Sequence, residues 1–213
     1  HAEVMSHGPV AYFRLDGAAD GLTGANGYGD VATADETGNH TLTYNGGTDP
    51  ATGPYNNIST GATEFDGVDE YALIPDDPAW QLADGSVQML FNLRDSNADG
   101  FASDEGTMAL LTRDASGTAE PGHFKIYTDG DDLVVRVQGT NGGTLTAADV
   151  ISADTWHQVN VNFGSGGLEI WLDGTMVAND PSITQGIDGN NEPWVIGASS
   201  SSSTSGGTLD NLG

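Results

Sequence analysis

Apolar residues along this chain fall in short runs, either alternating with polar ones or enriched in β-branched and aromatic types. Clusters of Gly, Asp, Asn and Ser separate them. A period of two places alternate side chains on opposite faces of a strand, whereas helical spacing of apolar residues is nearly absent. The pattern predicts strands over 10–15, 62–66, 70–75, 86–93, 107–113, 123–128, 132–139, 157–163, 168–174 and 193–199. Many short strands joined by Gly-rich turns point to an all-β, antiparallel sandwich or barrel. "YTDGDDLVV" and "NFGSGGLEI" read as hairpins whose glycines supply positive φ. Residues 17–61 are rich in Gly, Asp and Thr and read as ordered loop. The serine-rich run 198–207 reads as a surface segment before a last strand.

Alternation also assigns faces. In "WHQVNVNF", Val159, Val161 and Phe163 point one way and Gln158, Asn160 and Asn162 the other. In "LEIWLDG", Leu168, Ile170 and Leu172 belong to the core, while Glu169 and Trp171 turn away. Paired across a hairpin, the outward set forms a polar row beside an indole. Sugars are met by that mixture, because their hydroxyls need donors and acceptors and their C–H faces stack on aromatics. Trp171, Gln158, Asn160 and Asn162 are therefore the candidate ligand-binding residues, with Tyr127 of "HFKIYT" as an extension of the row.

Charge narrows the partners. The 213 residues carry 31 acidic and 5 basic side chains, a formal net charge of −26, and Lys125 is the single lysine. Such a surface repels nucleic acid phosphates and anionic lipid headgroups, and no apolar run is long enough for membrane insertion. It suits high salt and divalent cations. The absence of cysteine removes disulfides, thiolate metal sites and cysteine nucleophiles. No basic segment followed by an apolar one opens the chain, so it reads as an excised or processed module of a larger secreted protein.

The acid is not spread evenly. "RDSNADGFASDEG" (94–106) sets Asp95, Asn97 and Asp99 at alternate positions before Gly100. That is the first half of an EF-hand-type calcium loop, in which a tight turn aims alternate oxygens at one point. The Phe101 carbonyl would add an oxygen and Glu105 or Asp104 a terminal acid, because position 106 is glycine. Crowded carboxylates that repel one another favour calcium here, against the alternative of a bare acidic turn.

Several segments together resemble a known family. "AYFRLDG" (11–17), "DETGNH" (35–40), "TEFDGVDEYALIP" (63–75), "WHQVNVNFGSGGLEIWLDGTMVA" (156–178) and "GGTLDNLG" (206–213) are similar, in this order, to the laminin-G-like, concanavalin-A-like jelly-roll domains of secreted bacterial proteins. The resemblance implies a two-sheet antiparallel β-sandwich, and one domain over residues 1–213 with the acidic loop at 94–106 as an insertion. It also implies a second, structural calcium at Asp35 and Asp210, with Asp16 as an outside candidate. The competing reading of Asp35 is that it begins an Asx-type turn. His157, after the family tryptophan, would be structural.

One scaffold hosts many functions, so three remain open. The favoured one is a non-catalytic, calcium-stabilised carbohydrate-binding module. A second is an adhesion or spacer domain of an extracellular protein. A third is a polysaccharide lyase or hydrolase, for which His123, Lys125, Tyr127 and Arg136 form a conceivable set, although the Glu-x-Asp-x-x-Glu strand of jelly-roll glucanases is absent.

Overall fold

The computed structural model describes residues 2–16, 31–46, 49–54, 61–67, 69–95, 106–114 and 121–199. After a one-turn helix α1 (Ala2–Ser6), fourteen strands are found among these residues. They are β1 (Val31–Ala34), β2 (Thr41–Asn45), β3 (Asp49–Ala51), β4 (Ala62–Glu64), β5 (Tyr71–Ile74), β6 (Gly85–Asn92) and β7 (Thr107–Arg113). Then come β8 (Phe124–Asp129), β9 (Asp132–Val137), β10 (Gly143–Ala147), β11 (Trp156–Phe163), β12 (Leu168–Leu172), β13 (Thr175–Asp180) and β14 (Trp194–Ile196). An eight-stranded sheet runs β1-β2-β5-β14-β7-β8-β9-β10, a four-stranded sheet runs β13-β12-β11-β6, and β3 pairs with β4. Every pairing is antiparallel.

The two larger sheets enclose the core. Phe124, Ile126, Leu133, Val135 and Trp194 face it from the eight-stranded sheet, and Val159, Val161, Phe163, Leu168 and Ile170 from the four-stranded one. The Phe124 ring meets Phe163 across the gap at 5.7 Å and Trp194 edge-on at the same distance. Such aromatic pairs add to the free energy of burial itself.

One charged residue joins this core. Arg113 ends β7 at an inward position opposite Phe124 and has no solvent exposure. Its Nε donates to the Glu192 carbonyl, Nη1 to the carbonyls of Trp80 and Ile187, and Nη2 to the Asn190 carbonyl and the Asp76 carboxylate. The guanidinium carbon stands 5.7 Å from the centroid of the Trp194 indole. Ile187 N–H in turn donates to the Leu82 carbonyl, just ahead of β6. Arg113 thereby ties the large sheet to the entry of the small one.

The strands expected from 62 to 74, 86 to 93, 107 to 113 and 123 to 172 are present, with small changes at their ends. Three expectations are corrected. Residues 10–15 form no strand: Tyr12 N–H donates to the Asp35 carboxylate and its carbonyl accepts from Glu36, so this segment is tied to a turn and not to a ladder. The stretch read as loop contains β1, β2 and β3, of four, five and three residues, too short for alternation to stand out. The segment 193–199 is strand only over Trp194–Ile196. Gly197 ends it at φ +80°, where a Cβ would stand 2.6 Å from the Phe65 ring. The predicted last strand within 206–213 lies outside the described residues.

Candidate functional site

The outer face of the four-stranded sheet gathers most of the residues expected to bind a ligand. β11 buries every second residue, which turns Gln158, Asn160 and Asn162 outward. β12 does the same with Glu169 and Trp171. Asp173 and Gly174 close the β12–β13 hairpin in two residues, with φ of +50° and +80°. Positive φ at both positions is the hairpin turn for which Asp-Gly is a strong sequence signal. The register then sets Asn160 opposite Trp171 and Asn162 opposite Glu169. On the far side, Asn160 faces Gln88 of β6 and Gln158 faces Leu90.

These side chains are wired together. Asn160 Nδ2 donates to Asn162 Oδ1 at 3.1 Å, and Asn162 Nδ2 donates to Glu169 Oε2 at 2.9 Å. The Trp171 indole N–H donates to the same Oε2 at 3.1 Å. The hydrogen bonds from Asn162 and Trp171 hold the Glu169 carboxyl below its ordinary pKa of 4.5, so it is an anion at neutral pH. Trp171 is half-buried and held at its nitrogen, and its register partner on β13 is the exposed Met176. A fixed indole flanked by amides and a carboxylate can stack a sugar ring and bond its hydroxyls. Glu169 was assigned to this face by alternation but not to the binding set; its role emerges only from the hydrogen bonds that converge on it.

Tyr127 does not extend this row. It stands on β8, opposite Val134, on the outer face of the eight-stranded sheet, with the whole core between it and Trp171. Order along the chain does not reveal which sheet a strand joins. There the Lys125 Nζ lies 4.8 Å from the Tyr127 ring, and burial pushes the phenol above its ordinary pKa. His123 is buried and its Nδ1 lies 3.0 Å from Gln138 Oε1 and 3.2 Å from Asp114 Oδ1. Arg136 pairs with Asp114 as well. The four residues of the conceivable lyase set are thus near one another, but His123 and Arg136 are both engaged by Asp114, and the raised phenol makes a poor base at neutral pH.

His157 is a positioning group in the core. Its Nδ1 lies 2.8 Å from Asp173 Oδ2 and its Nε2 accepts from Ser152 N–H at 3.2 Å. With Nε2 accepting, Nδ1 is the ring nitrogen that donates to Asp173. Asp173 also accepts from Gln158 N–H, which braces the Asp-Gly turn beside the row of candidate residues.

The expected metal ligands have different fates. Asp95 stands at the edge of the described residues, its N–H donating to Asp154 Oδ1 at 3.3 Å. Asn97, Asp99, Phe101, Glu105 and Asp210 lie outside them. Asp35 is described fully: Oδ1 accepts from the N–H groups of Asn39 and His40, and Oδ2 from those of Tyr12 and Thr37 and from the Thr37 hydroxyl. Burial would raise its pKa, but these bonds outweigh that and hold it below the ordinary 3.8. Both oxygens are committed to organising the turn, so Asp35 fits a calcium ion poorly. Asp16 is buried and paired with Arg14 at 2.8 Å. A trio that spacing did not single out, Asp131, Asp132 and Asp149, brings carboxylate oxygens within 4.8 Å of one another and can hold a metal. Its members meet only because β9 and β10 pair.

Comparison with known proteins agrees with this architecture. A family model described as the concanavalin A-like lectin/glucanases superfamily matches residues 66–212. No curated protein sequence matches the chain. Among solved structures, domain 4 of AbnA, an extracellular arabinanase from Geobacillus stearothermophilus, in complex with arabinotriose, is 15% identical with a TM-score of 0.54, covering 77% of each chain. The binding domain of botulinum neurotoxin DC in complex with SialylT is 11% identical with a TM-score of 0.53; the match covers 76% of this chain and 40% of that one. The sialidase CBM40 of Ruminococcus gnavus is 13% identical with a TM-score of 0.47, over 62% and 71%. At these identities the likeness is one of fold.

Proposed function

The chain belongs to the concanavalin A-like lectin/glucanases superfamily, and from that membership we propose that it is a non-catalytic carbohydrate-binding module of a larger secreted protein, with its ligand on the outer face of the four-stranded sheet. The observation that carries this reading is the chain of hydrogen bonds Asn160–Asn162–Glu169–Trp171 on a sheet face. Polar residues that only face water need no mutual orientation, whereas a sugar site needs its donors and acceptors fixed before the ligand arrives. The arabinanase domain with arabinotriose offers an analogy of the same kind.

The test is binding to immobilised polysaccharides by affinity electrophoresis and glycan array. Retention on at least one neutral glycan is expected, and Trp171→Ala should weaken it by roughly 30-fold or more, the loss typical of a central aromatic anchor. Retention on none, or retention that Trp171→Ala leaves intact, rejects this site. An adhesion or spacer domain would give the former result.

Calcium stabilisation is the second part of the proposal. It is supported by the acidic surplus, the Asp95-x-Asn97-x-Asp99-Gly100 spacing and the carboxylates at 131, 132 and 149. Calcium at about 100-fold over its dissociation constant adds about 2.7 kcal/mol. For a domain of this size that is a rise in melting temperature of about 5–10 °C. Asp99→Asn and Asp132→Asn should each be tested for loss of that rise, while Asp35→Asn, which removes a turn acceptor, should keep it. Equal melting with calcium and with chelator would end the calcium proposal.

A further inference from the structure

The face that carries Trp171 has a property beyond its fit to sugars in general: it holds a fixed negative charge and no positive one. None of the five basic residues lies in β6, β11, β12 or β13. Arg94, just beyond β6, is paired with Glu64. Lys125 and Arg136 stand opposite each other on the other sheet, away from this face. Two residues along β12 from Trp171, on the same face and opposite Asn162, sits Glu169, whose Oε2 takes both local donors and whose Oε1 has no partner among the described residues. That second oxygen is a charged acceptor left open on the same sheet face as Trp171. A sugar hydroxyl satisfies it; a carboxylate or sulfate on the sugar meets it as a like charge with no cation nearby to compensate.

We propose that Glu169 determines specificity at this site, selecting an uncharged glycan by accepting hydrogen bonds from its hydroxyls at Oε1 and excluding acidic glycans by repulsion. The inference rests on the glycan-binding reading of this face. The rows of the site run across the strands, from Met176 on β13 through Trp171 and Asn160 to Gln88 on β6. Four strands span about 14 Å in that direction, the length of a short oligosaccharide. An elongated neutral chain lying along the row would place its sugar faces on Trp171 and Met176 and its hydroxyls on Glu169, Asn160 and Gln88.

The decisive measurement compares a panel of neutral polysaccharides, each beside its carboxymethylated derivative, at fixed low salt. Wild-type protein is expected to bind at least one neutral polymer and to bind its carboxymethylated partner roughly tenfold or more weakly. The net charge of the whole protein contributes to that gap, so a local probe is needed. Glu169→Gln, of the same shape, should close most of the gap by gaining affinity for the derivative, while Asp129→Asn, which removes one charge from the other sheet, should leave it. A thermal melt of each variant checks that the fold is intact. Equal or preferred binding of the carboxymethylated polymer through Trp171, or a gap that Glu169→Gln does not narrow, overturns the role of Glu169 and leaves the glycan site standing. Binding of neither polymer overturns both.

Discussion

Replacing Arg113 by methionine is expected to lower stability by about 3–5 kcal/mol, the usual cost of removing one partner from a buried, hydrogen-bonded charge network. Methionine fills much of the volume, so the loss would measure stranded acceptors and not a cavity. The carbonyls of Trp80, Ile187, Asn190 and Glu192 and the Asp76 carboxylate all lose their donor. Burial draws the guanidinium pKa below its ordinary value, and Asp76 and Glu192 act against that shift. A lysine cannot replace it: one ammonium offers three donors from a single point, whereas this fork reaches five acceptors in different directions. Arg113→Lys should therefore recover only part of the loss. In melting temperature the methionine variant should fall by about 6–20 °C. A loss under about 1 kcal/mol in urea unfolding would show that water replaces the guanidinium at little cost, and that the tie between the sheets lies elsewhere.

The second large effect is a stability maximum on the acid side of neutrality at low salt. At pH 7 the formal charge is −26 and the isoelectric point is near 4.1, so protonation between the two relieves self-repulsion in the folded state. Opposing this, several carboxyls are held below their ordinary pKa. In Asp35 and Asp173 burial acts upward but is outweighed by hydrogen bonds, from Thr37, His40 and Tyr12 in the first and from Gln158 and His157 in the second. Asp84 and Asp180 are lowered by Ser165 and Ser182. A group lowered on folding contributes stability above its unfolded value, 3.8 for these aspartates, and loses it as the pH falls through the folded value. Stability should thus rise from pH 7 to about 4.5 and fall steeply below about 3.8. Salt at 1 M shortens screening to about 3 Å and should flatten the first limb while leaving the second. Melting temperatures across this range, in chelator, check both limbs. A steady decline from pH 7 to 5 at low salt would mean that repulsion does not limit this fold.

Much of the site was legible in the sequence because a strand has only two faces. Once "WHQVNVNF" and "LEIWLDG" are strands joined by a short turn, Asn160, Asn162, Glu169 and Trp171 must share a surface. The family match over 66–212 follows from equally local signals, while the strand read over 168–174 runs through what is the Asp-Gly turn at 173 and 174. β1 and β2 escaped because four and five residues are too few for alternation to stand out, and residues 10–15 misled because an apolar segment can pack on the core without joining a ladder.

What the chain determined by itself was the class of fold, the inward and outward sets of each strand, and the excess of acid. The tertiary structure alone decided which strands share a sheet. It put Tyr127 behind the core from Trp171, drew Asp131, Asp132 and Asp149 together, committed both oxygens of Asp35 to a turn, and buried Arg113 among carbonyls from four separate residues. The physical reason is range. Alternation and turn preference act between neighbours in sequence, whereas partners tens of residues apart are chosen by the packing of two complete sheets.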